Sequence, residues 1–219
     1  HTFCAVDLSA FYFDIRKDTL YCEHPDSLAR RANRTVMDAI FTRLATWLAP
    51  VLCFTAEEAW LARFGDAAGV SVHRQTFPDT PASWQDEVLG KRWAYIRDIR
   101  RVVTGAIEGE RAEKRIRSSL EAAPVVWLST DRMQQIEGVD MAEIAISSAI
   151  TIESGEGPAD AFRMEDAPGI AVQPSRTDAE KCVRCWKQPG DVGSDASAPL
   201  LCGRCAEVVG RLPKTLPVA

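Results

Sequence analysis

Cys182-Val-Arg-Cys185-Trp186 and Cys202-Gly-Arg-Cys205 are two C-x2-C pairs with sixteen residues between them. Two tight turns at that spacing present four sulfurs to a single Zn²⁺ in a tetrahedral set. The stretch between the pairs, Gln188 to Pro199, is rich in Gly, Ser, Asp and Pro and is too polar and broken to pack as an element of its own. Metal is therefore expected to organise it, through Cys182, Cys185, Cys202 and Cys205. A redox or disulfide pairing is the alternative, and it is disfavoured in a reducing compartment.

Working outward, the remaining cysteines, Cys4, Cys22 and Cys53, are scattered among apolar neighbours and read as small buried side chains rather than ligands. At 219 residues, 46% hydrophobic and 26% charged, the composition is globular. No run of 18 apolar residues occurs, and the opening His1-Thr-Phe-Cys-Ala-Val lacks the basic start of a signal peptide. The expectation is a cytoplasmic protein with reduced thiols and no membrane partner. With no initiator Met and an immediate amphipathic pattern, the sequence reads as a piece of something longer.

The net charge of −5 is unevenly spread. Nine Lys/Arg and four Asp/Glu fall between Lys91 and Arg117, against two basic and nine acidic residues between Asp131 and Asp166. Such a split fits a nucleic acid held along one surface, and equally a solvated helix face.

The chain before the cysteines reads as mainly α. Val6 to Asp18 is an aromatic-rich helix end plus connector. Asp26 or Ser27 caps the next helix, where Leu28, Ala32, Val36, Ile40, Leu44 and Leu48 form an apolar stripe with Arg30, Arg31 and Arg34 on another face. Thr55-Ala-Glu-Glu58 is a capping box that starts a helix ended by Gly65. The longest periodic segment opens at Ser83-Trp-Gln-Asp86 and carries Leu89, Trp93, Ile96, Ile99, Val103 and Ile107 toward Arg115, with fraying or a break expected at Gly105 and Gly109.

These segments predict an antiparallel helical bundle over residues 1–120. After Pro124, Val125 to Leu128, a helix from Asp131 to Ile136, β-branched residues from Ala145 to Ile152 and a strand at Gly169 to Val172 predict a small α+β module over 121–175. The finger occupies 176–219. No Gly-rich phosphate loop, G-x-S-x-G elbow or H-E-x-x-H is present, so no catalytic residue is assigned.

The run Phe3-Cys-Ala-Val-Asp-Leu-Ser-Ala-Phe-Tyr-Phe-Asp-Ile-Arg-Lys-Asp18, then Leu48-Ala-Pro-Val-Leu-Cys-Phe-Thr-Ala-Glu-Glu-Ala-Trp60, then Arg117-Ser-Ser-Leu-Glu-Ala-Ala123, and finally Glu180-Lys-Cys-Val-Arg-Cys-Trp186 with Cys202-Gly-Arg-Cys205, resemble in that order the bacterial isoleucyl-tRNA synthetases. The resemblance covers only the C-terminal part of that family: anticodon-binding domain, junction module and zinc finger. It implies one structural Zn²⁺, a monomer and tRNA as partner. ATP and Mg²⁺ belong to a class I catalytic domain that would precede His1, so the chain alone is expected to be inactive.

For the grip on the anticodon arm, the residues proposed are Arg30, Arg31 and Arg34 on phosphates, with Trp186 as a base platform flanked by Arg184 and Lys187. The alternative for Trp186 is an apolar lid on the metal turn. The cysteine spacing also resembles the finger of formamidopyrimidine-DNA glycosylases, but the helix-two-turn-helix expected before that finger is replaced here by a long helix and an α+β module. A purely structural interaction module is the third reading, and a tRNA titration separates it from the first.

Overall fold

A computed structural model describes residues 1–67 and 69–213. The last six positions of the 176–219 segment therefore lie outside the described residues. Helices dominate, joined by one small sheet and a C-terminal cysteine cluster. By packing, the chain divides into two compact units, residues 1–24 with 87–219, and residues 25–86.

In the first unit, Phe3–Phe13 winds as a π-type helix and passes directly into α1 (Asp14–Cys22). The aromatic run is thus helical throughout, with no connector before His24. In the second unit lie α2 (Leu28–Leu48) and α3 (Cys53–Phe64). Returning to the first, α4 (Glu87–Ala112) is followed by β1 (Val125–Leu128), α5 (Thr130–Met133), α6 (Met141–Ala145), β2 (Thr151–Ser154), β3 (Ile170–Gln173) and α7 (Gly203–Arg211).

From Trp93 onward the α4 stripe packs as its spacing dictates, whereas Leu89 at its start is exposed. Ile96, Ile99, Val103 and Ile107 are essentially sealed from water, and Val102 and Ala106 widen the same face. They meet Val126 and Leu128 of β1 and Ile170 and Val172 of β3 in one apolar core. The sheet order is β2-β1-β3, with β1 parallel to β2 and antiparallel to β3. Neither glycine breaks α4, which runs on to Ala112. At Gly105 a Cβ would come within 2.6 Å of Met164 Cε and 3.2 Å of the Phe162 ring, so its bareness lets the segment after β2 lie against the helix.

On this helix and just past its end, cation after cation is neutralised locally. Arg97 pairs with Asp7, Arg101 with Asp98 and Asp166, Arg111 with Glu108, and Arg115 with Glu110. Arg92 donates to the carbonyls of Gln135 and Glu137. The basic stretch is largely a set of packing clamps, which weakens its reading as a nucleic-acid face.

The second unit closes on a small core of Ala45, Ala49, Ala56, Trp60 and Val72, with Phe41 stacked 6.2 Å from Trp60. Here the expected α2 stripe is corrected: Leu28, Val36 and Leu48 are exposed, while Asn33, Ala45 and Thr46 are buried. Residues four apart advance about 400° on a helix, so each step drifts about 40° and the six positions wrap round the cylinder instead of lining one face. Ser27 does sit at the α2 N-cap, without a side-chain cap bond. Helix α3 starts at Cys53, ahead of the expected capping box, and ends at Gly65 with φ +86°.

Candidate metal centre

The first cysteine pair sits on a closed turn. The Trp186 amide donates to Cys182 O at 2.9 Å, and the Cys182 amide donates to Lys187 O at 2.9 Å, with Trp186 itself at φ +66°. The second pair straddles the start of α7: Cys202 is its N-cap and Cys205 lies one turn in. Asp191 Oδ2 accepts from the Gly203 amide at 3.0 Å, fixing the intervening loop to the head of that helix. The loop is otherwise irregular, held by bonds such as Gly193 N to Leu201 O at 3.0 Å and Val183 N to Leu200 O at 3.2 Å.

These turns bring the four predicted cysteines together. Their sulfurs all lie within 4.8 Å of one another, and all four residues are buried, a set that could hold a metal ion. No disulfide joins any of them. Burial opposes the Cys182 thiolate, but amides of Cys185, Cys202 and Arg184 directed at its sulfur outweigh that and hold the thiol down at about 6. Burial pushes the Cys185 and Cys202 thiols up, and the neighbouring sulfurs add to it. Four such sulfurs become thiolates together only when a cation offsets their mutual repulsion.

The other cysteines part company. Cys22, at the end of α1, is buried against the cluster, and burial followed by the Asp18 carboxylate pushes its thiol up to about 11. It is a neutral neighbour. Cys4 and Cys53 are exposed, which corrects their reading as buried core residues; the buried positions of their helical segments are Leu8 in the one and Ala56 and Trp60 in the other.

Polar contacts to α1 complete the centre. Arg204, between the second pair of cysteines, grips Asp18 with both terminal nitrogens at 2.5 and 2.8 Å and reaches Glu23 at 3.2 Å. Arg184 donates to Cys22 O at 2.6 Å and Tyr21 O at 3.4 Å, the last carbonyls of α1, and comes within 3.5 Å of Cys205 Sγ. Lys187 is half-buried, 3.9 Å from Asp18. Sequence reasoning missed Asp18, Arg204 and Asp191. Only Arg204's place between two cysteines marked it; Asp18 lies 186 residues away.

Trp186 is 61% exposed, and the cation over its ring is Lys181 at 5.4 Å, in place of the expected Arg184 and Lys187. Beside it opens a cavity of about 540 Å³ between α1, α6 and the first metal turn. Arg31 and Arg34 are exposed and Arg30 half-buried, all three on α2 in the other compact unit. No described helix is long and apolar enough to cross a membrane.

Residues 1–126 match the family described as the anticodon-binding domain of tRNA ligase. The isoleucine–tRNA ligase of Agrobacterium fabrum is 51% identical over 211 residues, that of Brucella abortus 50% over 211, and that of Mesorhizobium japonicum 48% over 214. Each alignment covers 96% of this chain, so it includes the cysteine centre as well as the helices. The chain spans only about a fifth of these relatives, 22%, 22% and 21% of their lengths.

Proposed function

The chain belongs to the family of tRNA-ligase anticodon-binding domains, and from that membership we propose that it is the tRNA-gripping C-terminal part of an isoleucine–tRNA ligase. The observation that carries this is identity near one half, continuous through 96% of the chain, to ligases bearing that name. In this reading residues 1–120 form the helical anticodon-binding segment, 121–175 the junction and 176–219 the finger. The whole enzyme is a cytoplasmic monomer that joins isoleucine to its tRNA. Adenylate chemistry with ATP and Mg²⁺ falls to polypeptide outside these residues.

The metal is proposed to be one structural zinc on Cys182, Cys185, Cys202 and Cys205. Thiolates about 2.3 Å from a tetrahedral zinc lie about 3.8 Å from each other, and Cys185 Sγ to Cys202 Sγ is 3.8 Å. The donor set fits: four sulfurs, buried, with amides already directed at one of them. When bound, zinc supplies charge compensation and cross-linking, with no part in catalysis. The chain's own residues do the gripping. Arg31 and Arg34, with Arg30, contact phosphates; exposed Trp186 stacks on an unpaired base, with Lys181 behind it, while Arg184 and Lys187 position its turn from within.

Titration of the zinc-loaded chain with isoleucine-accepting tRNA, at several salt concentrations, tests the proposal. Binding should weaken linearly in log–log form with salt, and Arg31→Glu or Arg34→Glu should flatten the slope by about one phosphate contact each. Absence of tRNA binding, or tighter binding to damaged duplex DNA, would overturn it. Isoleucine-dependent exchange of pyrophosphate into ATP by the chain alone would contradict the division of labour.

A further inference from the structure

Among the described residues, three that are not glycine have a positive φ, Lys114, Ile146 and Trp186, and two of them line the same cavity beside the first cysteine turn. Ile146, at φ +56°, is the more telling, because a β-branched side chain is at its least favourable in left-handed backbone. It is held there as the C-cap of α6, its amide donating to Ala142 O and Glu143 O. Strained backbone persists where the surroundings over-determine it, and such positions concentrate at ligand sites. Two of them converging on one cavity direct attention to what that cavity takes.

The chemistry of its walls is specific. Ile15, Ile146 and Leu120 supply an apolar floor, while Tyr21, 77% exposed, and Trp186, 61% exposed, supply aromatic faces at its mouth. Exposed Tyr and Trp beside an apolar slot offer flat stacking surfaces at small entropic cost. Glu143 lines the same space, and the two hydrogen bonds to its carboxylate, from Arg16 at 3.1 Å and Thr19 at 2.6 Å, fall on Oε1. Its second oxygen is left as an acceptor for an N–H edge. Lys17 stands largely exposed at the rim, paired with Asp14 at 2.8 Å, and Asp14 and Asp18 line the same space. At about 540 Å³ the space falls within the range of about 300–1,000 Å³ found for small-molecule sites.

Resting on the tRNA-binding reading above, we propose that this cavity is a base-insertion site: one unpaired nucleobase of the anticodon loop enters between Tyr21 and Trp186, its N–H edge toward Glu143. The site extends recognition from a platform at Trp186 to a pocket whose second wall is α1. Because α1 is tied to the metal turn through Arg184 and Arg204, the two aromatic walls are held by one framework. An amphipathic slot of this kind fits a planar, hydrogen-bonding heterocycle on a charged backbone better than an aliphatic peptide side chain.

The test uses the zinc-loaded chain and an RNA hairpin carrying the anticodon loop, with each loop nucleotide in turn made abasic. Tyr21 is largely exposed, so Tyr21→Ala should leave fold and metal content intact while weakening binding to the intact hairpin about ten- to a hundredfold. Against one abasic hairpin, and one only, parent and variant should bind equally, since the inserted base is already gone. Parental affinity of Tyr21→Ala for the intact hairpin, or an equal loss against every abasic hairpin, overturns the insertion site while leaving the tRNA reading standing. A parent chain that binds neither the hairpin nor tRNA overturns both.

Discussion

Where α4 lies on the sheet, Ile96, Ile99, Val103, Ile107, Val126, Leu128 and Val172 exclude water with hydrocarbon alone. In the cysteine centre, sixteen residues of largely polar loop run between the two pairs, and among the described residues the apolar packing against the four buried sulfurs comes from Cys22 and from partly buried Val192 and Leu201. The first region is stabilised by area removed from water, a contribution that involves no titrating group and no metal. The second lacks that area; charged clamps tie it to α1, and in the proposed reading a metal on the four sulfurs supplies the rest of its order. Two parts of one compact unit thus answer to different variables.

Metal removal is the largest way to separate them. Structural zinc in small fingers is worth about 10–16 kcal/mol at neutral pH, far beyond what Val192 and Leu201 contribute. Chelation, or Cys205→Ser, should take metal content from one ion per chain to none and open amides of the loop and α7 to exchange. Amides of α4 and β1 should keep their protection; their loss would show that the two regions form one cooperative unit. Acid should act like chelation. Metal-bound sulfurs are thiolates, so protons compete with the metal for them, and lowering the pH should release it.

The converse change strikes the hydrocarbon side. Ile99 is fully buried, and Ile99→Ala should cost about 2–5 kcal/mol through lost transfer energy and a residual cavity. Urea unfolding followed by helix signal measures this. Metal content should stay at the parental value, and a variant that folded but bound no zinc would erase the distinction.

How far the residues announced this division differs by element. The α4 stripe was legible because spacings of three and four hold it to one face for several turns, and the four cysteines because ligand spacing is a local constraint. The α2 stripe misled: a strict spacing of four drifts off any face, and its small unit packs Ala45, Ala49 and Ala56 against Trp60 instead. The clamps were invisible, since Arg204 and Asp18 meet only through tertiary folding. So was the cavity, because nothing local tells that Ile146 adopts left-handed backbone or that Tyr21 stands near Trp186.

Asp18→Asn tests whether the clamp and the sulfurs are separable. Burial raises the Asp18 carboxyl, but hydrogen bonds from Arg204 and the nearby charges outweigh it and hold the group below the usual carboxylate range. A carboxyl depressed by folding stabilises above its unfolded value, about 3.9, and that contribution fades as pH falls through the lower folded value. The clamp's full contribution is therefore kept until the pH falls to about 3.9. At pH 7 the substitution should cost about 1–2 kcal/mol, the range of charged hydrogen bonds reduced for partial exposure. Hydrogen exchange in α7 reads the cost. An unchanged pH of metal release would show two independent fastenings, and release at higher pH would show a coupled one.

The smallest effect sharpens the hydrocarbon side itself, through two glycines on one helix. At Gly109 an added Cβ meets nothing within 4 Å. Gly109→Ala therefore gains the helix preference of alanine, about 0.8–1.0 kcal/mol, with part of that gain arising from a less disordered unfolded chain. At Gly105 the same Cβ meets Met164 Cε at 2.6 Å and the Phe162 ring at 3.2 Å. The methionine end can move aside, but the ring lies in the packed segment, so Gly105→Ala should return much of the gain as strain. Urea midpoints should rise for Gly109→Ala and stay near the parent for Gly105→Ala, with zinc content unaltered in both. A rise of equal size at Gly105 would mean that the segment carrying Phe162 and Met164 sits more loosely on α4 than the rest of the core.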